Sequence, residues 1–388
     1  MSAKISSLVQ LEYQDKLLLG KTIQGYYQKK QQDLGLVDFS RVATYLEAAL
    51  PEVGVAVRRR VIFAHLEFVP LLKNIACGKS FTIVSGLNPS SSLHLGHKVL
   101  FDLLLFFQKI GATIFIPLTN DESYLDGKVK SLKESRRLAL EKIVPEIIAF
   151  GFDPKKTEIF IDSDYPAIYN LAIGIAREIT FQRVREIFGE EALDNAGKIF
   201  YRSAVQLAQI LLPQMSEFGG PKPILIPVGI DQHPYILLAR DVARKKKLVP
   251  PVEVVFKFLP SLKDPAAKMS GSKPETAIYL DDAPGEIRRK VGQAVTGSVS
   301  QLAVHQSLGA IPEACSVFSL LYFHCEDDEM VNQIGRDYRQ GNLSATELKK
   351  IVADFVVKMV GKHQQKKRLV TQKQINKFIL KKRPGLFS

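Results

Sequence analysis

Two short motifs contain residues that could bind phosphate groups. In the first, PSSSLHLGHK at residues 89–98, His94 and His97 stand three positions apart around Gly96. Residues at this spacing share one face of a helix, both imidazoles can donate hydrogen bonds, and Gly96 has no Cβ to keep a nucleotide away. The motif predicts a nucleotide contact. The alternative is a pair of structural histidines at a helix start, because short motifs recur by chance.

The second motif, KMSGSKPETAIYLDD at residues 268–282, combines Lys268 with two serines, Ser270 and Ser272. A mobile ammonium group and two hydroxyls on a glycine-containing loop can bind a triphosphate while negative charge moves during phosphoryl or nucleotidyl transfer. A polar surface loop is the alternative. A phosphate-binding G-x-x-x-x-G-K-[ST] loop does not occur in the sequence. Because the two motifs rarely coincide, together they favour nucleotide chemistry.

The elements around the first motif predict a parallel sheet. FTIVSG, starting at Phe81, has the pattern of a buried strand, a helical pattern follows and ends at Gly111, and TIFIPLT is another buried strand. This order is a βαβ unit, and further strands are predicted at residues 158–162, 224–229 and 252–259. Ligands of open parallel sheets bind beyond the carboxyl ends of the strands, where the first motif lies. The predicted fold is α/β, a Rossmann-like doubly wound parallel sheet with a helical insertion, plus a C-terminal all-helical domain.

Three regions are expected along the chain. Residues 1–75 form a mostly helical N-terminal extension, and residues 76–283 form the Rossmann-like domain with its helical insertion at about 128–215. Residues 284–388 form a helical domain with a basic C-terminal end. From residue 361 to the end there are nine Lys or Arg and no Asp or Glu. A polyanion is therefore a plausible partner, and a solubilising tail is the alternative.

Composition indicates an ordinary globular protein. The 388 residues are 46% hydrophobic, and the three cysteines form no C-x-x-C pair, which fits a reducing cytoplasm without a cysteine-based metal site. The longest apolar stretch, at residues 99–107, is about half the length of a membrane span and contains Asp102. The N-terminus lacks the apolar region of a signal peptide. We expect no membrane passage, no export and a cytoplasmic location.

The pairing of the two motifs resembles the HIGH and KMSKS signatures of class I aminoacyl-tRNA synthetases, and the intervening sequence is similar to tryptophanyl-tRNA synthetases of the archaeal and eukaryotic type. The resemblance extends from about residue 58 to about residue 371. The stretches that carry it, besides the second motif, are LTNDESYL, GFDPKKTEIFIDSDY, GIDQHPYILLARDVA and YFHCEDDEMVNQIGRDYRQG.

This resemblance implies activation of tryptophan by ATP and Mg²⁺ to an adenylate, followed by transfer to the 3′ end of tRNA, with no covalent enzyme intermediate. It also implies a homodimer, with one tRNA spanning two subunits, and anticodon binding by residues 284–388. The implied catalytic residues are His94, His97, Lys268, Ser270 and Ser272. The implied nucleotide-binding residues are Gly86, Gly96, Gly229, Asp231, Met269 and Lys273. The implied amino-acid-binding residues are Val84, Glu122, Gln206, Gln209 and Gln232.

The chain departs from the family pattern at three of its positions. Gly271 stands where the second signature has Lys or Ala, so a second ammonium would come from Lys273. The Tyr and Gln that contact the indole in this branch of the family correspond to Val84 and Pro117, neither of which offers a side-chain acceptor. By resemblance to the bacterial enzymes, Gln209 is the candidate acceptor for the indole N–H, and an ordinary helix-surface glutamine is the alternative.

Three other functions remain open from the sequence. A tyrosyl-tRNA synthetase has the same scaffold but needs buried polar partners for the phenol. A nucleotidyltransferase would also use H-x-G-H, but it would explain neither the second motif nor the helical C-terminal domain. A tRNA-binding paralogue that has lost catalysis is compatible with the basic end, although the histidines, Lys268 and both serines are present.

Overall fold

The computed structural model describes residues 2–189 and 195–380. Lys381, Lys382 and Arg383 of the predicted basic end lie outside these ranges. None of the helices in the described ranges is long and apolar enough to span a membrane. The three cysteines are free thiols, Cys77 exposed and both Cys315 and Cys325 buried.

Seven strands form one sheet in the order β1-β2-β7-β6-β3-β4-β5. The strands are β1 Val37–Asp38, β2 Ile62–Leu66, β3 Phe81–Val84, β4 Ala112–Leu118, β5 Thr157–Ile161, β6 Ile224–Gly229 and β7 Val252–Phe256. All neighbouring pairs from β7 to β5 are parallel. These strands are rich in β-branched residues and almost continuously buried, as expected for a parallel sheet covered on both faces. The predicted α/β fold with its parallel sheet is confirmed.

Helices occupy most of the remaining described residues. The first group is α1 Ser2–Asp33, α2 Ser40–Ala49, α3 Val55–Arg58, α4 Phe68–Ala76, α5 Leu95–Lys109, α6 Asn120–Leu125, α7 Leu132–Leu138, α8 Val144–Ala149 and α9 Ala167–Ala176. The second group is α10 Phe181–Phe188, α11 Ala196–Phe200, α12 Gln206–Leu211, α13 His233–Lys245, α14 Pro284–Gly292, α15 Leu302–Leu308, α16 Ser316–His324, α17 Asp328–Arg339, α18 Ala345–Arg368 and α19 Gln372–Phe378. The helical C-terminal region is confirmed.

The chain forms two compact units whose segments alternate along the sequence. The first unit consists of Met1–Phe63, Leu93–Val99 and Lys257–Gln365. The second unit consists of Ala64–Ser92, Leu100–Phe256 and Lys366–Ser388. The predicted division into an extension, a catalytic domain and an anticodon-binding domain concerns function and stays a prediction.

Ion pairs hold the N-terminal segment within the first unit. Arg58 and Arg59 each donate from Nε to the Asp328 carboxylate at 2.8 Å, and Arg60 pairs with Glu47. Lys16 Nζ donates to the carbonyl of Thr296 at 3.0 Å. The arginine run therefore has a structural role that its sequence did not reveal.

The C-terminal helix α19 lies on the far edge of the sheet in the second unit. Ile379 pairs in parallel with Ile159 of β5, and the Leu380 N–H donates to the Ile159 carbonyl at 2.7 Å. Lys367 forms an ion pair with the buried Glu146 at 2.5 Å. This part of the basic end is packed, which differs from a free solvated tail.

Candidate active site

His94 and His97 lie next to each other at the start of α5 in the first unit. The His94 N–H donates to His97 Nδ1, and the Gly96 N–H donates to His94 Nδ1, both at 3.1 Å. Because each Nδ1 accepts a hydrogen bond, the proton of each neutral imidazole lies on Nε2. The ring centroids are 3.9 Å apart. The pair therefore provides two adjacent Nε2–H donors.

Both imidazoles are neutral at physiological pH. Burial, reinforced at low pH by protonated His97 and by the charge of Lys268, lowers the pKa of His94 to about 2. Burial alone lowers the pKa of His97 to about 4. They can bind phosphoryl oxygens as uncharged donors, so any positive charge at this end of the unit must come from other side chains.

Gly96 is required by the histidine arrangement itself. A Cβ at this position would lie 2.9 Å from two ring atoms of His94, which is closer than real Cβ contacts. The sequence predicted a glycine that lets a nucleotide approach. The structure adds that the glycine also makes room for the imidazole ring.

The two motifs are joined by a short backbone ladder. The Leu95 N–H donates to the Ile278 carbonyl at 3.0 Å, and the Leu280 N–H donates to the Leu93 carbonyl at 2.8 Å. Between these bonds, the Tyr279 hydroxyl donates to the Gly271 carbonyl at 2.8 Å. Within the second motif, Tyr279 thus ties the loop at Gly271 to the backbone segment that pairs with the first motif. Sequence reasoning missed this role although Tyr279 lies within the quoted stretch.

The loop of the second motif exposes its charged groups on a fixed base. Met269 is buried, and its N–H donates to the Leu259 carbonyl at 2.9 Å. The hydroxyls of Ser270 and Ser272 are 2.9 Å apart. Lys268 and Lys273 are exposed on either side of this pair. The first unit therefore combines the two histidines and the lysine–serine loop as one potential phosphate-binding surface.

In the second unit, the remaining predicted residues follow the carboxyl ends of neighbouring strands. Gly86 follows β3, Glu122 lies on α6 after β4, and Asp231 lies on the 3₁₀ turn after β6. Parallel strands bring these ends to one edge of the sheet, where α/β proteins bind ligands. Val84 is 2% exposed and belongs to the hydrophobic core.

Glu122 is a buried carboxylate with two neutral donors. Its Oε2 accepts from the Thr119 hydroxyl at 2.8 Å and from the Asn88 amide at 3.0 Å. Burial raises the pKa of Glu122, and these hydrogen bonds offset the rise in part. A cationic ligand would stabilise its ionised form, so this environment suits an ammonium group.

Gln206 and Gln232 come together in the second unit. The Gln206 amide donates to the Gln232 carbonyl oxygen at 3.3 Å. Gln206 is the first residue of α12 and directly follows a π-helical turn, Tyr201–Val205. Such turns shift side chains around the helix and are frequent at functional sites. The pair can supply both donors and acceptors to a polar ligand.

Gln209 is held by a buried acidic network. Its amide nitrogen donates to Asp162 Oδ2 at 2.5 Å and to the Tyr201 hydroxyl at 3.3 Å. Burial, and next the negative charge of Asp121, raise the pKa of Asp162 well above its ordinary value. This arrangement directs the Gln209 nitrogen to the network and leaves its carbonyl oxygen as an acceptor. Sequence reasoning missed Asp162, although it ends the predicted strand at residues 158–162.

Comparison with known protein families gives a consistent result. The family model for class I tRNA synthetases (W and Y) matches residues 77–378. The tryptophan–tRNA ligase of Methanocaldococcus jannaschii is 35% identical over 325 residues, which are 81% of this chain and 87% of that protein. The tryptophan–tRNA ligase of Sulfurisphaera tokodaii is 38% identical over 84% of each chain.

Solved structures are similar over nearly the whole chain. The tryptophanyl-tRNA synthetase of Aeropyrum pernix superposes with a TM-score of 0.84 at 29% identity, covering 91% of this chain and 96% of that one. The tryptophanyl-tRNA synthetase of Plasmodium falciparum superposes with a TM-score of 0.82 at 31% identity, covering 91% and 96%.

Proposed function

Because the chain belongs to the class I tRNA synthetases for tryptophan and tyrosine, we propose that it activates tryptophan with ATP and transfers it to the 3′ end of tRNA(Trp). Its relatives named as tryptophan–tRNA ligases, similar over more than four fifths of the chain, support tryptophan over tyrosine. The adjacent neutral histidines beside the lysine–serine loop are the observation that best supports retained catalysis over a tRNA-binding paralogue without activity.

Activation needs no covalent bond to the enzyme. The tryptophan carboxylate attacks the α-phosphorus of ATP, the bond to the β-phosphate oxygen breaks, and pyrophosphate leaves with the displaced charge. The Nε2–H groups of His94 and His97 donate to phosphate oxygens, and Lys268, Ser270 and Ser272 bind the departing pyrophosphate, aided by Met269 and Lys273. Such contacts accelerate the reaction where they strengthen as charge moves to the leaving group.

Mg²⁺ belongs to this step as a partner of the nucleotide. No group of three or more His, Cys, Asp or Glu in the described part of the chain is placed to hold a metal ion. Mg²⁺ commonly binds through substrate phosphates with several waters, so the triphosphate itself supplies ligands. Bound there, the ion would neutralise charge on the departing pyrophosphate.

The second unit supplies the residues for tryptophan and ribose. Glu122 binds the α-ammonium group, and the pair Gln206 and Gln232 holds the ammonium and carboxylate of the amino acid. Asp231 accepts from ribose hydroxyls at the turn that begins with Gly229, while Gly86 leaves room beside β3. These roles rest on the family resemblance and on the burial and hydrogen bonds described above.

Gln209 accepts the hydrogen bond from the indole N–H. An indole donor buried without an acceptor costs about 1 to 3 kcal/mol, and Val84 and Pro117 offer no side-chain acceptor. Gln209→Leu should therefore weaken tryptophan binding about 10- to 100-fold. It should hardly change binding of the tryptophan analogue in which benzothiophene replaces indole, because the ring of this analogue has no N–H. The chain contains no tryptophan, so indole fluorescence reports on the ligand alone. Equal loss for both ligands would make Gln209 a packing residue.

Transfer to tRNA involves the basic C-terminal end. Removing it by truncation would also remove the packing of α19 on β5, so substitution is the cleaner test. Lys366, Lys373 and Lys377 are exposed, and changing all three to glutamine should weaken tRNA binding and reduce its salt slope by up to about 0.9 per lost phosphate contact. Lys21→Gln with Lys29→Gln on α1 is the control. If the salt dependence of tRNA binding is unchanged in the triple variant, these lysines do not contact tRNA phosphates and only form a solvated surface.

The protein acts in the cytoplasm as a homodimer in which one tRNA spans two subunits, and residues 284–388 bind the anticodon. The free cysteines fit a reducing compartment. Most soluble oligomers are symmetric, and a two-fold dimer lets one tRNA contact both subunits.

Amino-acid-dependent ATP–pyrophosphate exchange across the standard amino acids tests the proposed activity. Tryptophan alone should support strong exchange. A higher rate with tyrosine would assign the other specificity of the family, and no exchange with any amino acid would indicate the inactive paralogue.

A further inference from the structure

A cavity of about 490 Å³ lies within the first unit, apart from the histidine pair. It is bounded by α1, by the segment that precedes the lysine–serine loop, and by α16. Its volume falls in the range of sites that bind small molecules. Six aromatic side chains line it, Tyr26, Tyr27, Phe258, Phe318, Tyr322 and Phe323. This lining suits a planar aromatic ring.

Lys257 brings a positive charge to the wall of this cavity. Lys257 is half-buried, and its Nζ lies 5.8 Å from the centre of the Tyr27 ring. Burial lowers the pKa of Lys257, opposed in part by the charge of Asp38. Within the described ranges, no carboxylate forms an ion pair with this ammonium group. The carboxylate of Glu313, which also lines the cavity, pairs with Arg339 at 2.7 Å. A half-buried ammonium without a salt-bridge partner favours an anionic ligand.

Lys268, which lies in the lysine–serine loop, also lines this cavity. Its Nζ lies 5.1 Å from the centre of the Phe258 ring, and the side chain lines the cavity. Its charge also lowers the pKa of His94, so it is close enough to the histidine pair to interact with it electrostatically. One lysine therefore belongs to two sites, the cavity and the phosphate-binding surface.

We propose that this cavity binds a small planar aromatic carboxylate, whose anionic group contacts Lys257 and Lys268. The bound ligand retains Lys268 in the cavity, so this lysine no longer binds pyrophosphate at the lysine–serine loop and the rate of adenylate formation falls. The proposed ligand binding depends on the cavity alone. The proposed inhibition rests on the proposed function.

A carboxylate fits this lining better than a phosphate monoester. A phosphate monoester carries nearly two negative charges at neutral pH, whereas a carboxylate carries one. Taking a second charge out of water into an aromatic cavity is costly unless it is also paired. Of the two lysines that line the cavity, Lys257 is half-buried and Lys268 is exposed. Water screens the charge of Lys268 more strongly, so a single negative charge on the ligand is the better match.

The test uses the full chain and 2-naphthoate as the probe, titrated calorimetrically with saturating tryptophan present to block the amino-acid pocket. Native protein should bind the probe, and Lys257→Met should weaken binding about 10- to 100-fold because it removes a charged partner. Lys257→Arg restores the charge and should bind within a few-fold of native protein. Lys29→Met, on the exposed face of α1, is the matched control and should bind like native protein.

Several outcomes would overturn the binding site: no binding of 2-naphthoate to native protein at millimolar concentration, equal binding by native protein and Lys257→Met, or tighter binding of 2-naphthyl phosphate than of 2-naphthoate. For the proposed inhibition, 2-naphthoate should lower tryptophan-dependent exchange at saturating ATP in native protein and in Lys29→Met. Binding without inhibition would refute this part of the proposal. Absence of exchange before any probe is added would count against the proposed function and leave the binding result standing.

Discussion

Replacing Lys268 by alanine is expected to slow tryptophan-dependent pyrophosphate exchange by about 100- to 1000-fold, the range for loss of one charge-stabilising group in an active site. The two histidines beside it are neutral, because burial is the main cause that lowers their pKa values to about 2 and about 4. Lys268 therefore supplies charge that His94 and His97 cannot. Its contact strengthens as negative charge moves to the pyrophosphate, so the loss should fall on rate.

The measurement separates rate from binding. Tryptophan affinity, followed by ligand fluorescence, should stay near the native value in Lys268→Ala. His97→Ala should likewise lose rate and keep its tryptophan affinity. Lys263→Ala is a matched control, since Lys263 is exposed and its Nζ donates to the Gln293 carbonyl at 3.4 Å. Lys273→Ala tests the displaced ammonium, and an unchanged rate would remove it from the mechanism. If binding and rate fell together in Lys268→Ala, the residue would be structural.

Glu122→Gln is expected to lower kcat/KM for tryptophan about 30- to 5000-fold. The substitution keeps the shape but removes the charge that pairs with the α-ammonium, and losing one partner of a buried charged pair costs about 2 to 5 kcal/mol. Thr119 and Asn88 both donate to Oε2, so the glutamine carbonyl oxygen can accept both hydrogen bonds while its amide group replaces Oε1.

A comparison of two ligands isolates the charge in this experiment. Tryptophan should lose affinity for Glu122→Gln, while indole-3-propionate, which lacks the ammonium, should bind native and variant protein within a few-fold. Glu141→Gln, on an exposed helix face where Glu141 pairs with Arg137 at 3.0 Å, should leave both ligands unaffected. Similar losses for both ligands would show that Glu122 shapes the pocket without contacting the ammonium.

Hydrophobic periodicity was enough to predict the parallel sheet. The strands at β3, β4, β5, β6 and β7 are short buried runs, and the helix between β3 and β4 ends two residues before Gly111. Strand β2 was not predicted, because its five residues follow three arginines and resemble the surrounding helical segments. Its place is fixed by neighbouring strands, which a local pattern does not contain.

The site was predictable where motifs are contiguous and not where contacts are distant in sequence. His94, Gly96 and His97 form one local motif, and the structure places them together. Tyr279 acts through a hydrogen bond to Gly271, and Asp162 acts on Gln209 from another strand end. Each of these contacts depends on the tertiary fold, so spacing along the chain carries no sign of it.

The pairing of Leu380 with Ile159 has a consequence for synthesis of the chain. An open sheet edge is a template for pairing with other chains, and natural proteins protect it. Here the protecting residues leave the ribosome more than two hundred positions after the strand they cover. While translation continues, β5 must either remain unfolded or stand exposed. Nascent chains stalled before residue 372 should therefore depend on chaperones more than the finished protein does.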